Sequence, residues 1–179
     1  MKPNKNFNLL VTLKGHKSEV SGEELLGIGE IESALKKYEP ILNINESEYP
    51  NVLLIDLSMD PRKALQILKN SPTTVISKIV IIDEVVRTRP SLITEKVLQI
   101  ANHKIESGSS FAVRCDLRGH KYIKSKNDLI ELISKELVEN LNLEENSTSP
   151  DWVVQIEIIG ENTGICVSRP SDILKKDRI

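Results

Sequence analysis

The strongest constraint on this chain is the order in which its hydrophobic periods alternate. Over residues 7–86 apolar side chains recur first at strand spacing and then at helix spacing, giving β-α-β-β-α-β. Residues 7–13 form a short β-rich run, broken by Lys14-Gly15-His16-Lys17. Ser21 and Glu24 have the spacing of a capping box, in which each side chain satisfies an orphan backbone donor at a helix start. Ile28, Ile31, Leu35 and Tyr38 then recur at helical intervals until Pro40. Residues 41–44 and 52–57 read as strands around a turn-forming stretch. Asp60-Pro61 opens a second helix, with Asp capping free donors and Pro where no N–H is needed. Ala64, Leu65 and Leu68 supply its apolar stripe, and Asn70-Ser71-Pro72 ends it. Residues 79–86 read as one further β-branched strand. The order is the ferredoxin-like pattern, expected to occupy residues 1–88. By itself that pattern names no function.

Arg87-Thr88-Arg89-Pro90 separates this unit from a second one, expected over residues 89–179. A helix is predicted over residues 91–102, with Ile93, Val97, Ile100 and Ala101 on one face. After the turn Ser107-Gly108-Ser109, Phe111, Val113, Cys115 and Leu117 alternate with Ala112, Arg114, Asp116 and Arg118. One set should be buried and the other presented. A helix over residues 126–140 carries Leu129, Ile133 and Leu137 inward, with Ile130 and Val138 beside them. Residues 142–150 read as polar loop. Trp152, Val154, Ile156 and Ile158 alternate in a strand, and residues 164–168 make a last short one. The class is α+β.

Composition narrows the functions open to such a chain. With 179 residues, 39% hydrophobic and 28% charged, it can fill one ordinary core or two small ones. Its 24 Lys and Arg against 26 Asp and Glu leave a formal net charge of −2. A protein that coats polyanions over its whole surface is excluded, and only a local basic patch remains open. Aromatics are 3% of the chain, which argues against a module that splays bases over an aromatic platform. Cys115 and Cys166 are far apart and outside any C-x-x-C, so a reducing compartment fits best. No stretch approaches the ~18 uninterrupted apolar residues of a membrane span. The apolar run before Lys14 is too short for a signal-peptide core. A soluble, cytoplasmic protein is expected.

Catalytic signatures are missing from the sequence. There is no G-x-x-x-x-G-K-[ST] loop, no G-x-S-x-G elbow and no H-E-x-x-H. Gly27 and Gly29 resemble a fragment of a nucleotide loop, but they lie inside a predicted helix, where close helix packing is the better account. His16, His103 and His120 are far apart, and a metal site would need two of them to converge with a carboxylate or thiolate. Cys115 and Cys166 occupy core-type strand positions. No metal, cofactor or catalytic residue is expected.

One charge feature stands apart. Five of the 24 cations, Arg114, Arg118, Lys121, Lys124 and Lys126, fall within residues 114–126 together with His120, against the single acid Asp116. Arg114 and Arg118 share a strand face, roughly 13 Å apart at ~3.3 Å per residue. The lysines follow in a loop and at the next helix start, where unpaired N–H groups and the dipole favour an anion. Two readings stand side by side. Either this ridge grips two or three backbone phosphates, or it is a solvated turn paired with neighbouring acids.

A family resemblance bears on that choice. Gly108-Ser109-Ser110-Phe111-Ala112-Val113-Arg114, then Arg118-Gly119-His120, then Ser125-Lys126 opening a helix, resemble the core of a THUMP domain. So does Pro150-Asp151-Trp152-Val153-Val154-Gln155-Ile156-Glu157-Ile158-Ile159-Gly160, with Thr163-Gly164-Ile165-Cys166-Val167 after it. Asn8-Leu9-Leu10-Val11-Thr12, Asp60-Pro61 and Val85-Val86-Arg87-Thr88 are similar to archaeal stand-alone THUMP proteins. Those in turn are similar to the adaptor of the eukaryotic tRNA cytidine acetyltransferase. The resemblance spans about residues 7–176.

What the resemblance implies is RNA binding without catalysis. The chain would be a non-catalytic adaptor that holds the acceptor stem and single-stranded 3′ end of tRNA for a separate enzyme, an N4-acetyltransferase acting on cytidine. By matching positions Arg114, Arg118, His120 and Lys126 would contact RNA. Lys121 and Lys124 would support them, and Arg87 and Arg89 would extend the groove. The alternatives are an RNA-binding module of a thiolation or methylation system, an autonomous enzyme using a buried acid or Cys115, and a protein-interaction module that meets an acidic partner without RNA.

Overall fold

The structure is a computed structural model and describes residues 1–15 and 23–176. In chain order the elements are β1 (Leu9–Leu13), α1 (Glu23–Leu35), β2 (Asn43–Glu46), β3 (Val52–Asp56), α2 (Pro61–Asn70), β4 (Ile76–Ile81) and β5 (Glu84–Arg87). They continue as α3 (Pro90–Lys104), β6 (Ser110–Arg118), α4 (Lys126–Leu141), β7 (Glu144–Glu145), β8 (Trp152–Ile159), β9 (Asn162–Ser168) and β10 (Leu174–Lys175). The chain divides into two units. One comprises Phe7–Ile82 with the residues from Ile173 onward, the other Met1–Asn6 with Asp83–Asp172. Among the described residues each holds a five-stranded sheet.

In the first unit the strands run β10-β4-β1-β3-β2, all antiparallel. Leu9, Val11 and Leu13 of β1 share a core with Ile31 and Leu35 of α1 and with Ala64, Leu65 and Leu68 of α2. At Gly27, α1 lies so close to β1 that a Cβ would come 2.7 Å from a Leu13 methyl carbon, the close packing expected of this glycine. Gly29 corrects that expectation. Nothing lies within 4 Å of where its Cβ would be, so packing within the chain does not account for it. The expected cap residue Ser21 lies outside the described residues, as do His16 and Lys17. Glu24, its expected partner, accepts from the Asn51 N–H (2.7 Å).

The helix read as far as Tyr38 stops at Leu35, whose carbonyl accepts the N–H groups of both Tyr38 and Glu39. The strand read over residues 41–44 forms instead at Asn43–Glu46, leaving Ile41 90% exposed. α2 starts as expected, the Asp60 carboxylate accepting from Arg62 N (3.0 Å) with Pro61 in the first turn. Its other end is closed by Lys176, whose ammonium donates to the carbonyls of Leu68 (2.6 Å) and Ser71 (3.0 Å).

Residues 79–86 are not one strand. β4 ends at Ile81 and β5 begins at Glu84 in the other sheet. Asp83 marks the break, accepting from Val167 N (2.8 Å) and Lys104 Nζ (2.9 Å). Asp83-Glu84 interrupt the β-branched run at this point, and that pair of acids is the mark of the break in the sequence.

In the second unit the order is β5-β9-β8-β6-β7. β6 and β8 are parallel, connected through α4, and β8 and β9 form an antiparallel hairpin. Phe111 and Cys115 are buried as expected, and Val113 and Leu117 pack on the same core with Ile93, Val97 and Ala101 of α3 and Leu129, Ile133 and Leu137 of α4. Each such large apolar side chain contributes ~1.5–3 kcal/mol by leaving water. Val138 does not join them and is 42% exposed, one helical position past the buried stripe. The stretch read as polar loop holds β7, two residues paired in parallel with β6.

Candidate nucleic-acid interface

β6 ends at Arg118 because Gly119 adopts a φ of +85°, a left-handed conformation that strains any residue with a Cβ. The chain leaves the sheet there, while the Gly160 N–H donates to the Arg118 carbonyl (2.9 Å). A short loop follows to Ser125, whose hydroxyl accepts the Asp128 N–H (3.2 Å) and starts α4. His120, Lys121, Lys124 and Lys126 are all exposed on this loop and the first turn of the helix. The free N–H groups and dipole of the helix start add positive potential beside them.

The two β6 arginines differ from each other. Arg114 is exposed. Arg118 is held by Glu157, guanidinium to carboxylate 3.0 Å, with Glu157 wholly buried and Arg118 16% exposed. Gln155 donates to the other Glu157 oxygen (2.7 Å) and lies 3.3 Å from an Asp116 oxygen. A buried carboxylate costs several kcal/mol unless compensated, so part of what Arg118 does is internal.

The junction arginines reach the same loop through Tyr122. Arg89, the N-cap residue of α3, stacks its guanidinium 4.0 Å from the ring centroid, and the Lys121 ammonium lies at 5.4 Å. The Tyr122 hydroxyl donates to Glu161 (3.1 Å), whose other oxygen accepts from Arg87 (3.1 Å). Arg87 also donates to the Lys2 carbonyl (2.9 Å). The Tyr122 hydroxyl and then Arg87 hold the Glu161 carboxyl below its ordinary value. The network thus holds Arg87 against Glu161 and Arg89 and Lys121 against the ring. The sequence reading passed over Tyr122 and Glu161. Tyr122 had a signal, an aromatic between Lys121 and Lys124 in the basic window. Glu161 had none, for it comes from the β8–β9 turn, 39 residues away.

Where the first turns of α3 and α4 approach, a cavity of about 230 Å³ opens, lined by Pro90, Tyr122, Lys124, Ser125, Asp128 and Leu132 among others. Pro90 and Leu132 give it apolar wall, and Lys124 and the start of α4 give it a positive rim.

Both cysteines of this unit are held as thiols. Burial, with Asp116 and Glu157 nearby, pushes the Cys115 thiol up to about 12. Burial likewise pushes Cys166 up to about 12. Among the described residues no three His, Cys, Asp or Glu side chains are placed to hold a metal ion. His103 lies on α3, apart in sequence from His120 on the loop. No helix among the described residues is long and apolar enough to cross a membrane.

Residues 91–168 match the family model for the THUMP domain. The chain carries a THUMP domain. The match takes in β6, the basic loop, the cavity and α4, and begins just after Arg87 and Arg89. The whole chain is similar in fold to PH1313 from Pyrococcus horikoshii Ot3, with a TM-score of 0.73 and 16% identity over 94% of this chain and 55% of that one. It is similar to TrmN from Thermus thermophilus, at a TM-score of 0.60 and 13% identity over 94% and 46%. A 4-thiouridine synthetase in complex with RNA and bound ATP gives 0.57 and 10% over 92% and 42%. The chain therefore spans about half the length of these solved proteins, and at such identities the likeness is one of fold alone. No curated protein sequence matches the chain.

Proposed function

We propose that the THUMP-bearing unit binds tRNA and holds its acceptor stem and single-stranded 3′ end for a separate modifying enzyme. One observation carries this reading. The span matching the THUMP domain holds the exposed cations Arg114, Lys121, Lys124 and Lys126, with His120 among them and Arg89 stacked on Tyr122 at its border. The fold shared with a 4-thiouridine synthetase seen with RNA supports it. Affinity comes chiefly from phosphate neutralisation, and selectivity from the shape of the stem and its unpaired end. In this reading Arg89, Arg114, His120, Lys121, Lys124 and Lys126 touch RNA. Arg87 and Arg118, engaged by Glu161 and Glu157, position the surface.

The chain then works as an adaptor without catalysis of its own, in the reducing, cytoplasmic setting its unpaired cysteines fit. The first unit, with its β4-β1-β3-β2 order, is read as ferredoxin-like. The resemblance to stand-alone THUMP proteins favours a cytidine N4-acetyltransferase as the enzyme served. The likeness to a 4-thiouridine synthetase and to TrmN favours a second reading, service to another tRNA-modifying system.

Gel-shift titration of tRNA tests the binding. Lys121→Glu with Lys124→Glu should weaken it about tenfold or more, ~1.4 kcal/mol, at unchanged thermal stability. Unchanged affinity overturns the assignment. Nucleoside mass spectrometry of tRNA incubated with the chain, the acetyltransferase and acetyl donor should show N4-acetylcytidine rising only when both proteins are present. A modified nucleoside made by the chain alone refutes the adaptor role.

A further inference from the structure

The first unit leaves an apolar trough uncovered between its two helices. Leu25 and Leu26 of α1 are 75% and 51% exposed, and Tyr38, just past the helix, is 48% exposed. With Gly29, Ile67 of α2 and Pro72 they line a cavity of about 690 Å³. Buried against water such side chains would stabilise an association; left open they favour one. The α1 part of the trough, from Leu25 to Ala34, is roughly 14 Å long at 1.5 Å per residue, about two and a half helical turns.

Two further observations say what covers it. Glycine at position 29 weakens α1, and among the described residues nothing outside the helix's own backbone comes within 4 Å of a Cβ placed there. The missing side chain therefore keeps room for something outside the chain. Among the described residues two lysines stand against one acid at the trough. Lys37 lines it, and Lys63 lies 4.8 Å over the Tyr38 ring. The one acid lining it, Glu30, has its carboxylate oxygens accepting the N–H groups of Thr74 (2.6 Å) and Val75 (3.1 Å).

We propose that this trough is a docking site for an amphipathic helix of a partner protein, its apolar face seated over Gly29 and its flank bearing carboxylates for Lys37 and Lys63. This is the helix-in-groove mode, with anchors at i, i+3, i+4 and i+7. A second copy of the chain fits less well, since an isologous pair sets the same lysines on both sides of the contact. The inference goes beyond the RNA reading and does not depend on it, because the trough belongs wholly to the first unit.

The test places a photo-crosslinking amino acid at Leu26 of the full chain in its native cells, with a control at the exposed Glu48, and sequences the captured segment. That segment is then made as a peptide and titrated against the chain by fluorescence anisotropy. An acidic amphipathic helix should be captured at Leu26 and not at Glu48. Its affinity should fall at least about tenfold, ~1.4 kcal/mol, for Gly29→Leu and again for Lys37→Glu with Lys63→Glu. Gly29→Leu fills open space and improves helix propensity, so its melting temperature should hold or rise and its tRNA affinity stay unchanged. Equal capture at both positions, capture of RNA or of a second copy, a basic or non-helical segment, or full affinity for Gly29→Leu each overturns the proposal. None of these results bears on the basic loop, so the two readings fail separately.

Discussion

Replacing Arg118 with methionine separates a structural arginine from an RNA-binding one. Methionine keeps much of the stem volume and removes the guanidinium, leaving the wholly buried Glu157 without the 3.0 Å partner it has now. Breaking one side of a buried ion pair costs ~3–5 kcal/mol. Gln155 still donates to the carboxylate at 2.7 Å, and Arg118 keeps 16% exposure, so the low end, about 3 kcal/mol, is the expectation. Urea unfolding followed through Trp152, the single tryptophan and a residue of the same unit, reads it directly. At an m-value near 2 kcal/mol/M the midpoint should fall by about 1.5 M. Adding Glu157→Gln to Arg118→Met should restore at least ~1 kcal/mol, since the buried charge that Arg118 offset goes with it. At a temperature where the variant stays folded, its tRNA affinity should lie within about twofold of the parent, ~0.4 kcal/mol. A midpoint that does not move, no recovery in the double variant, or a tenfold loss of tRNA affinity at full stability refutes the reasoning.

Four further outcomes follow from the same geometry. If three or four phosphates are neutralised, log affinity for tRNA should fall against log salt with a slope near −3, about 60-fold between 50 and 200 mM, and a flat response would remove phosphate from the account. Neither Cys115 nor Cys166 should react with a thiol reagent at pH 8 until the chain is unfolded, because burial keeps both protonated with values up to about 12. Glu161 has its carboxyl depressed by Tyr122 and Arg87, so its contribution is present above the ordinary glutamate range and is lost as pH falls through the lower folded value. Tyr122→Phe should move that loss to higher pH in a carboxyl NMR titration. Ser125→Ala removes the α4 cap and should cost about 1 kcal/mol in the Trp152-monitored urea melt.

Where local chemistry decides an element, the sequence carried it. Asp60-Pro61 and Ser125-Lys126 start helices because capping and proline geometry act within four residues. The alternation from Phe111 to Leu117 turned Phe111, Val113, Cys115 and Leu117 to the core because a pleat has period two, but of the set read as presented only Arg114 is exposed, and Ala112 is buried. Element ends slipped by two or three residues, as at Leu35 and Asn43, and the larger failures are non-local. Residues 79–86 read as one strand because Asp83-Glu84, which interrupt the run, do not by themselves say that the strands on either side join different sheets. Arg118 reads as a free cation because Glu157, its partner, is 39 positions away, and nothing near Arg118 announces it. Gly29 reads like Gly27 until the space around each is measured. The basic window itself was legible; how its members are divided between solvent and internal pairs was not.

That division bears on how a chain of net charge −2 can hold a polyanion at all. At physiological ionic strength charges farther apart than ~8 Å are largely screened, so a phosphate responds to the cations beside it and hardly to the total. Tyr122 gathers Arg89 and Lys121 around one ring, 4.0 and 5.4 Å from its centroid, while Glu161, the acid of this network, accepts from the Tyr122 hydroxyl and from Arg87. An acid whose oxygens are already committed competes less for the cations around it. The surface is therefore positive through the local arrangement of a few side chains, which makes Tyr122, rather than any single lysine, the residue whose loss should blur it most.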